Sequence, residues 1–446
     1  MKIRVIGAGL AGCEAAWQVA RAGVEVELWE MKPQKYSPAH HSPGFAELIC
    51  SNSLKAERVD SAAGLLKEEM RRLDSLLMQC ADLCRVPAGG ALAVDRHAFS
   101  AAVTKAIRGN PLIQICNEEV TELPTDGIHV VATGPLTSDA LAGQIAALCG
   151  GCLSFFDAAA PIVTAESLGL DRIFAASRYG KGEDDAYLNC PMNKEEYERF
   201  YEALVHAERA PIHDFDVADP KVYEGCMPIE VMAQRGPDTI RFGPLKPVGL
   251  RDPATGHRPW AVVQLRREDR EGTLYNLVGF QTNLKFGEQK RVFGLIPGLE
   301  QAEFVRYGVM HRNTFLNSPM VLNSDFSLRS HPNLFFAGQI TGVEGYMESA
   351  ASGIMAGRNA VRRLQGKHTI TLPPETMIGA LSRYVQDGGD SDFQPMGANF
   401  GVIPPIVPHI RDKRSRYAAF SERSLQSLDA FLKPVSYTHL TLPTIA

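Results

Sequence analysis

The sequence predicts an α/β fold interrupted by an inserted α+β domain, and three observations predict it. The chain opens on a strand, a glycine loop, a helix and a second strand. From about Gly150 its character changes to mixed strand signals rich in Pro, Gly and aromatics. A hydrophobic strand ending in Gly338 and a small-residue helix then return the chain to the first type of unit. The 446 residues suffice for two domains and a large buried core. A composition of 45% apolar and 22% charged residues excludes a disordered or fibrous chain.

Taken in order, Lys2–Ile6 reads as a short buried strand. Leu10–Ala22 reads as a helix ended by Gly23, and Val24–Trp29 alternates as a second strand. Residues 33–53 form a long loop of the kind that is often functional. Asp60 or Ser61 caps one predicted helix reaching Ala81, with Leu65, Leu66, Met70, Leu73, Leu76 and Leu77 as its apolar face. Val86–Val94 reads as a turn and strand, and Arg96–Arg108 as a helix. Leu112–Glu119 and Gly127–Ala132 read as strands, with a turn at Thr133–Pro135. Asn333–Gly338 is a hydrophobic strand and Ser349–Leu364 a helix. These signals divide the chain into a first part (1–150), an insertion (151–300) and a second part (301–434). Residues 435–446 read as a non-native tail.

The glycine loop carries the first chemistry. Gly7-Ala8-Gly9-Leu10-Ala11-Gly12 sits between a strand and a helix. Gly7 permits the turn, Gly9 lets the backbone approach a pyrophosphate, and Gly12 lets the helix pack closely on the strand. The helix N-terminus offers N–H groups to phosphates. Glu30 follows at the end of the second strand, where a carboxylate accepts hydrogen bonds from ribose hydroxyls. Together they predict a Rossmann-like dinucleotide site. Val130-Val131-Ala132-Thr133-Gly134 and Leu334-Phe335-Phe336-Ala337-Gly338-Gln339 resemble segments of the glutathione-reductase-like flavoproteins, which implies FAD, with Gly338 near its ribityl chain. The helix beginning near Gly345–Ala350 is expected to aim its N-terminus at the flavin ring. There is no second GxGxxG, so a nicotinamide donor has no Rossmann unit of its own.

Net charge is −5, which by itself argues against nucleic acid. The halves differ, however. Residues 1–220 carry 20 Lys+Arg against 31 Asp+Glu, and residues 221–446 carry 26 against 20. A basic half is able to supply a phosphate footprint. Arg266-Arg267, Lys290-Arg291, Arg362-Arg363 and Arg411–Arg416 are candidates for it, with the solvated-surface reading beside each. No run of about 18 apolar residues predicts a membrane span. Structure begins too close to Met1 for a signal peptide, so the chain is expected to be cytoplasmic.

Nine cysteines, odd in number, read as reduced thiols. Cys50 follows the His40-His41 loop, and Cys226 stands in Tyr223-Glu224-Gly225-Cys226-Met227-Pro228, a turn suited to presenting a side chain. Either cysteine alone is as readily inert and buried. Cys149-Gly150-Gly151-Cys152 has dithiol spacing, but a structural turn is the simpler reading. No second ligand pair suits zinc, so no metal site is expected.

Several segments together resemble one bacterial family. They are the glycine loop, Phe45–Ser53, Val86–Leu92, Tyr223–Glu230, Arg241–Pro247 and Gly342–Tyr346. The family is the folate- and FAD-dependent tRNA uracil-5-methyltransferases, and the resemblance runs to about Pro434. It implies methylation of the T-loop uridine of tRNA. Methylenetetrahydrofolate would give the carbon, and NADH or NADPH would reduce the flavin. It implies that Cys226 attacks uracil C6 and that Cys50 is a second cysteine beside the flavin, acting in acid/base chemistry or in protecting C5. Tyr346, His311 and Arg312 are candidate pterin or nicotinamide contacts. Three competitors stand beside this reading. One is the related wobble-uridine flavoprotein, whose long helical C-terminal extension this chain is expected to lack. Another is a flavin dithiol reductase using Cys149 and Cys152. The third is a non-catalytic FAD-dependent RNA-binding or folate-binding module.

Overall fold

A computed structural model describes residues 2–180, 186–210, 227–388 and 393–433. Cys226 and the tail 435–446 lie outside the described residues. The apolar run of Ile3–Ile6 becomes the central strand of a five-stranded parallel sheet. Its order is Leu334–Phe336, Ile128–Val131, Ile3–Ile6, Val26–Trp29, Ile113–Cys116. The late strand thus pairs directly with an early one, across the whole inserted segment. Two helices, Leu10–Arg21 and Tyr346–Leu364, pack on each other beside this sheet. Small residues make that approach possible. A Cβ on Gly353 or Gly357 would come within 2.2 or 2.6 Å of the backbone oxygen of Ala11 or Ala15.

The chain leaves along Cys152–Ala158 and returns along Met310–Leu316, an antiparallel pair. Between them lies a six-stranded sheet in the order Phe174–Ala175, Tyr187–Met192, Ala261–Arg267, Leu274–Leu277, Ile162–Thr164, Phe304–Arg306. All its pairings are antiparallel. It has its own apolar core, in which Phe280 meets Phe293 edge to face at 5.2 Å. A separate three-stranded sheet joins Ser53–Ala56, Ala91–Val94 and Arg85–Val86.

One helix expectation is corrected. The segment capped by Ser61 forms two helices, Ala62–Arg72 and Leu76–Leu83, rather than one reaching Ala81. Asp74 adopts a positive φ of 59°, and Ser75 caps the second helix through Met78 N–H. The buried Glu14 carboxylate takes the N–H groups of Leu76 and Leu77 at 3.3 and 2.9 Å and the Ser75 hydroxyl. An anion at a helix N-terminus stabilises a start there, so a residue 60 positions away sets the break. All six apolar residues are still buried.

Glu69 plays the same part elsewhere. It accepts from Met377 N at 2.7 Å, Ile378 N at 2.9 Å and Ser424 Oγ at 2.5 Å, at the start of helix Met377–Asp387. Burial pushes both carboxyls up to about 7, against the hydrogen bonds that favour the anion. Each holds its proton to about pH 7 when folded but only to about 4.5 when unfolded. Their contribution to stability is therefore largest at low pH and declines as pH rises through 7. In thermal melts, Glu69→Gln should flatten the fall in Tm between pH 6 and 8 by roughly 1–2 °C, the equivalent of about 1 kcal/mol. An unchanged slope would assign that fall to other groups.

Candidate active site

Strand Ile3–Ile6 delivers the glycine loop to the end of the sheet. Gly7 has φ +97°, and its N–H donates to Trp29 O at 2.7 Å. Gly9 precedes helix Leu10–Arg21, whose N-terminus has no side-chain cap. A Cβ at Gly9 would meet no protein atom within 4 Å, whereas one at Gly12 would sit 1.8 Å from Gly7 O. Gly9 thus faces open space and Gly12 presses the helix on the loop. Glu30 fixes the loop from the side. Its carboxylate accepts Ala8 N–H at 2.8 Å and Lys32 N–H at 3.0 Å. Residues 33–53 fold back over the loop. Ala46 N–H donates to Ala8 O at 3.0 Å, and Lys32 Nζ donates to Gly44 O at 2.6 Å.

Gly7, Gly9, Leu10, Ala11 and Glu30 line a cleft of about 380 Å³ that runs past Ala132–Ser138 and Gly338 to Gly345–Ser349. Ala8 and Gly12 are buried behind it and act through the backbone. Gly338 N–H donates to Ser352 Oγ at 2.7 Å, which ties the late strand to helix Tyr346–Leu364. That helix begins without a side-chain cap, and its first turn lines the cleft. The cleft therefore has two uncapped helix N-termini, a ribose-competent carboxylate and an open backbone at Gly9. This donor set fits an extended dinucleotide.

Cys50 lies on the cleft wall, with Sγ 3.7 Å from Ala158 O. Tyr346 supports it. The phenol oxygen accepts Cys50 N–H at 2.7 Å and Ser51 N–H at 3.1 Å. Burial raises the Tyr346 phenol, so it stays protonated.

The inserted unit closes on the same segment. Arg266, expected at the surface, is buried; its Nε donates to Asn52 Oδ1 at 2.9 Å and its NH2 to Ser51 Oγ at 2.7 Å. Asn52 Nδ2 donates to Arg267 O at 2.8 Å and Val94 O at 3.1 Å. Arg96 pairs with Glu268 at 3.0 Å, both buried, and reaches Ile49 O at 3.4 Å. Burial, then the like charge of Arg96, lowers the Arg306 guanidinium; Tyr346 and Cys50 act on it in the opposite sense. Sequence reading missed Asn52, Arg96, Glu268 and Arg306. Their polar side chains are scattered over four segments, and only the fold gathers them.

Cys226 lies outside the described residues. The described residues continue from Met227, and Ile229 N–H donates to Gln281 O at 2.7 Å. Gln281 lines the cleft, so the segment after Cys226 is anchored on its wall. Buried Glu230 holds the same contact, accepting Thr282 Oγ1 at 2.8 Å and Asn283 N at 2.7 Å. Cys149 is half-buried at the end of helix Asp139–Cys149, while the side chains of Cys152, His311 and Arg312 lie outside the described set. Among the described residues, no helix is long and apolar enough to cross a membrane.

The family model described as glucose inhibited division protein A matches residues 2–368. A solved structure of Aquifex aeolicus GidA superposes with a TM-score of 0.69 over 96% of this chain and 73% of that one. At 17% identity this is a likeness of fold. The methylenetetrahydrofolate–tRNA-(uracil-5-)-methyltransferase of Desulfitobacterium hafniense (strain Y51) is 62% identical over 430 residues, covering 96% of this chain and 98% of that protein. The chain belongs to the methylenetetrahydrofolate–tRNA-(uracil-5-)-methyltransferase family. The same-named protein of Pelotomaculum thermopropionicum is 60% identical over 430 residues, again 98% of its length. Family membership accounts for two units meeting at one cleft: a dinucleotide unit closed by an inserted sheet. The α/β class and the inserted unit expected from sequence are both present.

Proposed function

We propose that this chain methylates C5 of the T-loop uridine of tRNA in the cytoplasm. Methylenetetrahydrofolate is the carbon donor, and FAD reduced by NADH or NADPH is the reductant. The observation that carries the reading is family membership at 62% identity over nearly the full length of the relative, together with a cleft whose donor set fits a dinucleotide. The reading takes 1–150 and 301–434 as one FAD domain and 151–300 as the insertion.

The residues divide the work as follows. The N-terminus of helix Leu10–Arg21 would hold the pyrophosphate at Gly9, and Glu30 the ribose hydroxyls. Gly338 and the helix start at Gly345–Tyr346 line the cleft and would hold the flavin half. Bound FAD supplies the hydride that completes the methyl group. Cys226 Sγ adds to uracil C6, which makes C5 an enolate-like nucleophile toward the one-carbon unit. Loss of the C5 proton expels tetrahydrofolate and leaves an exocyclic methylene, and the hydride added to that carbon expels the thiolate from C6 and restores the ring. Cys50, whose N–H is held by the Tyr346 hydroxyl, is the group for proton movement at the cleft wall.

Glu30→Gln replaces one acceptor by an NH2 facing a backbone N–H. It should weaken FAD about ten-fold or more, read as FAD content and titrated affinity. Unchanged affinity would remove Glu30 from the site. The reading as a whole is tested with an unmodified tRNA transcript, methylenetetrahydrofolate and NADPH. A methyl group at the T-loop uridine is expected. NADPH oxidation without that product would sink it.

A further inference from the structure

Away from the cleft, the inserted unit exposes an aromatic–cation cluster that the reaction does not use. Phe242 is 63% exposed and Trp260 36%. The Arg241 guanidinium lies over the Trp260 ring at 3.8 Å from its centroid and 4.9 Å from that of Phe242. Lys194 Nζ stands 5.8 Å from the same Trp260 ring. Arg241 is fixed there by Nε donating to Trp260 O at 3.1 Å and by Asp238 at 3.2 Å. Large exposed rings on a soluble surface call for a reason.

The local charge indicates which partner. Residues 235–260 hold five Lys+Arg (235, 241, 246, 251, 258) against two Asp+Glu (238, 252), in a chain of net charge −5. Both acids are engaged. Asp238 pairs with Arg241, and Asp252 accepts Ala254 N at 2.9 Å and Thr255 Oγ1 at 3.1 Å. Arg251, His257 and Arg258 are exposed beside them. Two rival surfaces lack this combination. Exposed Phe286 stacks on Tyr307 at 4.7 Å, but both cations beside it are paired, Lys285 with Glu208 and Arg291 with Glu288. Arg241 and Lys194 are likewise paired, with Asp238 and Glu198, so the surplus at the first cluster lies in Arg251 and Arg258. Tyr417, near the basic start of helix Lys413–Leu432, is already packed on Phe400 at 4.6 Å.

Position links the cluster to the site. Trp260 immediately precedes strand Ala261–Arg267. At about 3.3 Å per residue the strand carries the chain roughly 20 Å to Arg266, which holds Ser51 beside Cys50. Exposed aromatic faces with a cation surplus suit unpaired bases and their phosphates.

We propose that Phe242 and Trp260, with Arg241, Lys194, Arg251 and Arg258, form an auxiliary platform for the tRNA, stacking an unpaired base and neutralising its phosphates outside the cleft. The proposal rests on the function proposed above. In the FAD-loaded full chain, Phe242→Ala and Trp260→Ala should each weaken binding of a fluorescent tRNA transcript roughly ten-fold. Arg251→Ala/Arg258→Ala should lower the slope of log K against log salt by about 1–2. FAD content and the KM for methylenetetrahydrofolate should not change. Phe242 is so exposed that its variant folds as the parent does, which a melt checks. If the parent methylates tRNA while these variants keep its Kd and salt slope, the platform is refuted. A change of oligomeric state with unchanged tRNA affinity would refute it too, making the cluster a protein interface. A parent that binds no tRNA would refute the functional reading itself.

Discussion

Cys226→Ala should abolish methyl transfer to tRNA, a loss of at least ~10³-fold, while the protein stays yellow. Uracil C5 is too weak a nucleophile to take a one-carbon unit until a thiolate has added at C6. The proposed FAD contacts at the glycine loop, Glu30 and the helix start at Gly345 lie in other segments, so FAD is expected to stay bound. Methyl incorporation by mass spectrometry and FAD absorbance together check this. Incorporation within a few-fold of the parent would move the nucleophile elsewhere, with Cys50 the next candidate on the cleft wall.

Gly12→Val should give a colourless, less stable protein. Its Cβ would lie 1.8 Å from Gly7 O and 2.9 Å from Gly7 C, both backbone atoms. The helix must therefore lift from the loop, at a cost of about 1–3 kcal/mol or more, and the N–H groups of its first turn lose their aim. Gly9→Ala is the informative control. Its Cβ meets nothing within 4 Å, and φ is −73°, a value alanine accepts. Folding should be unchanged, while the methyl group projects toward the space a pyrophosphate needs. FAD loss is expected in both variants, but a lowered Tm only in Gly12→Val. FAD retention by Gly9→Ala would mean the backbone there does not approach the cofactor.

These expectations separate what is local from what is not. The glycine loop, its helix and Glu30 were legible because a turn, a close helix–strand approach and a strand-end acid leave a signature within some 25 residues. The buried faces of Leu65–Leu77 were legible for the same reason, since periodicity records which side chains leave water. The family resemblance extended that reading to the whole chain because several motifs occur in one order.

The break at Asp74 was not legible, because the carboxylate that starts the second helix belongs to Glu14. Nor was the role of Arg266. Adjacent arginines read as a solvated or phosphate-facing pair, yet the strand that carries them runs into the Cys50 segment and buries one guanidinium on Asn52 and Ser51. Tyr346 likewise showed itself as a candidate ligand contact, while its hydroxyl supports Cys50 from 296 residues away. By itself the sequence determined the α/β class, the dinucleotide loop and the family. The tertiary structure decided which charges surround Cys50, because a buried ion or hydroxyl needs partners that only the path of the chain brings within hydrogen-bonding reach.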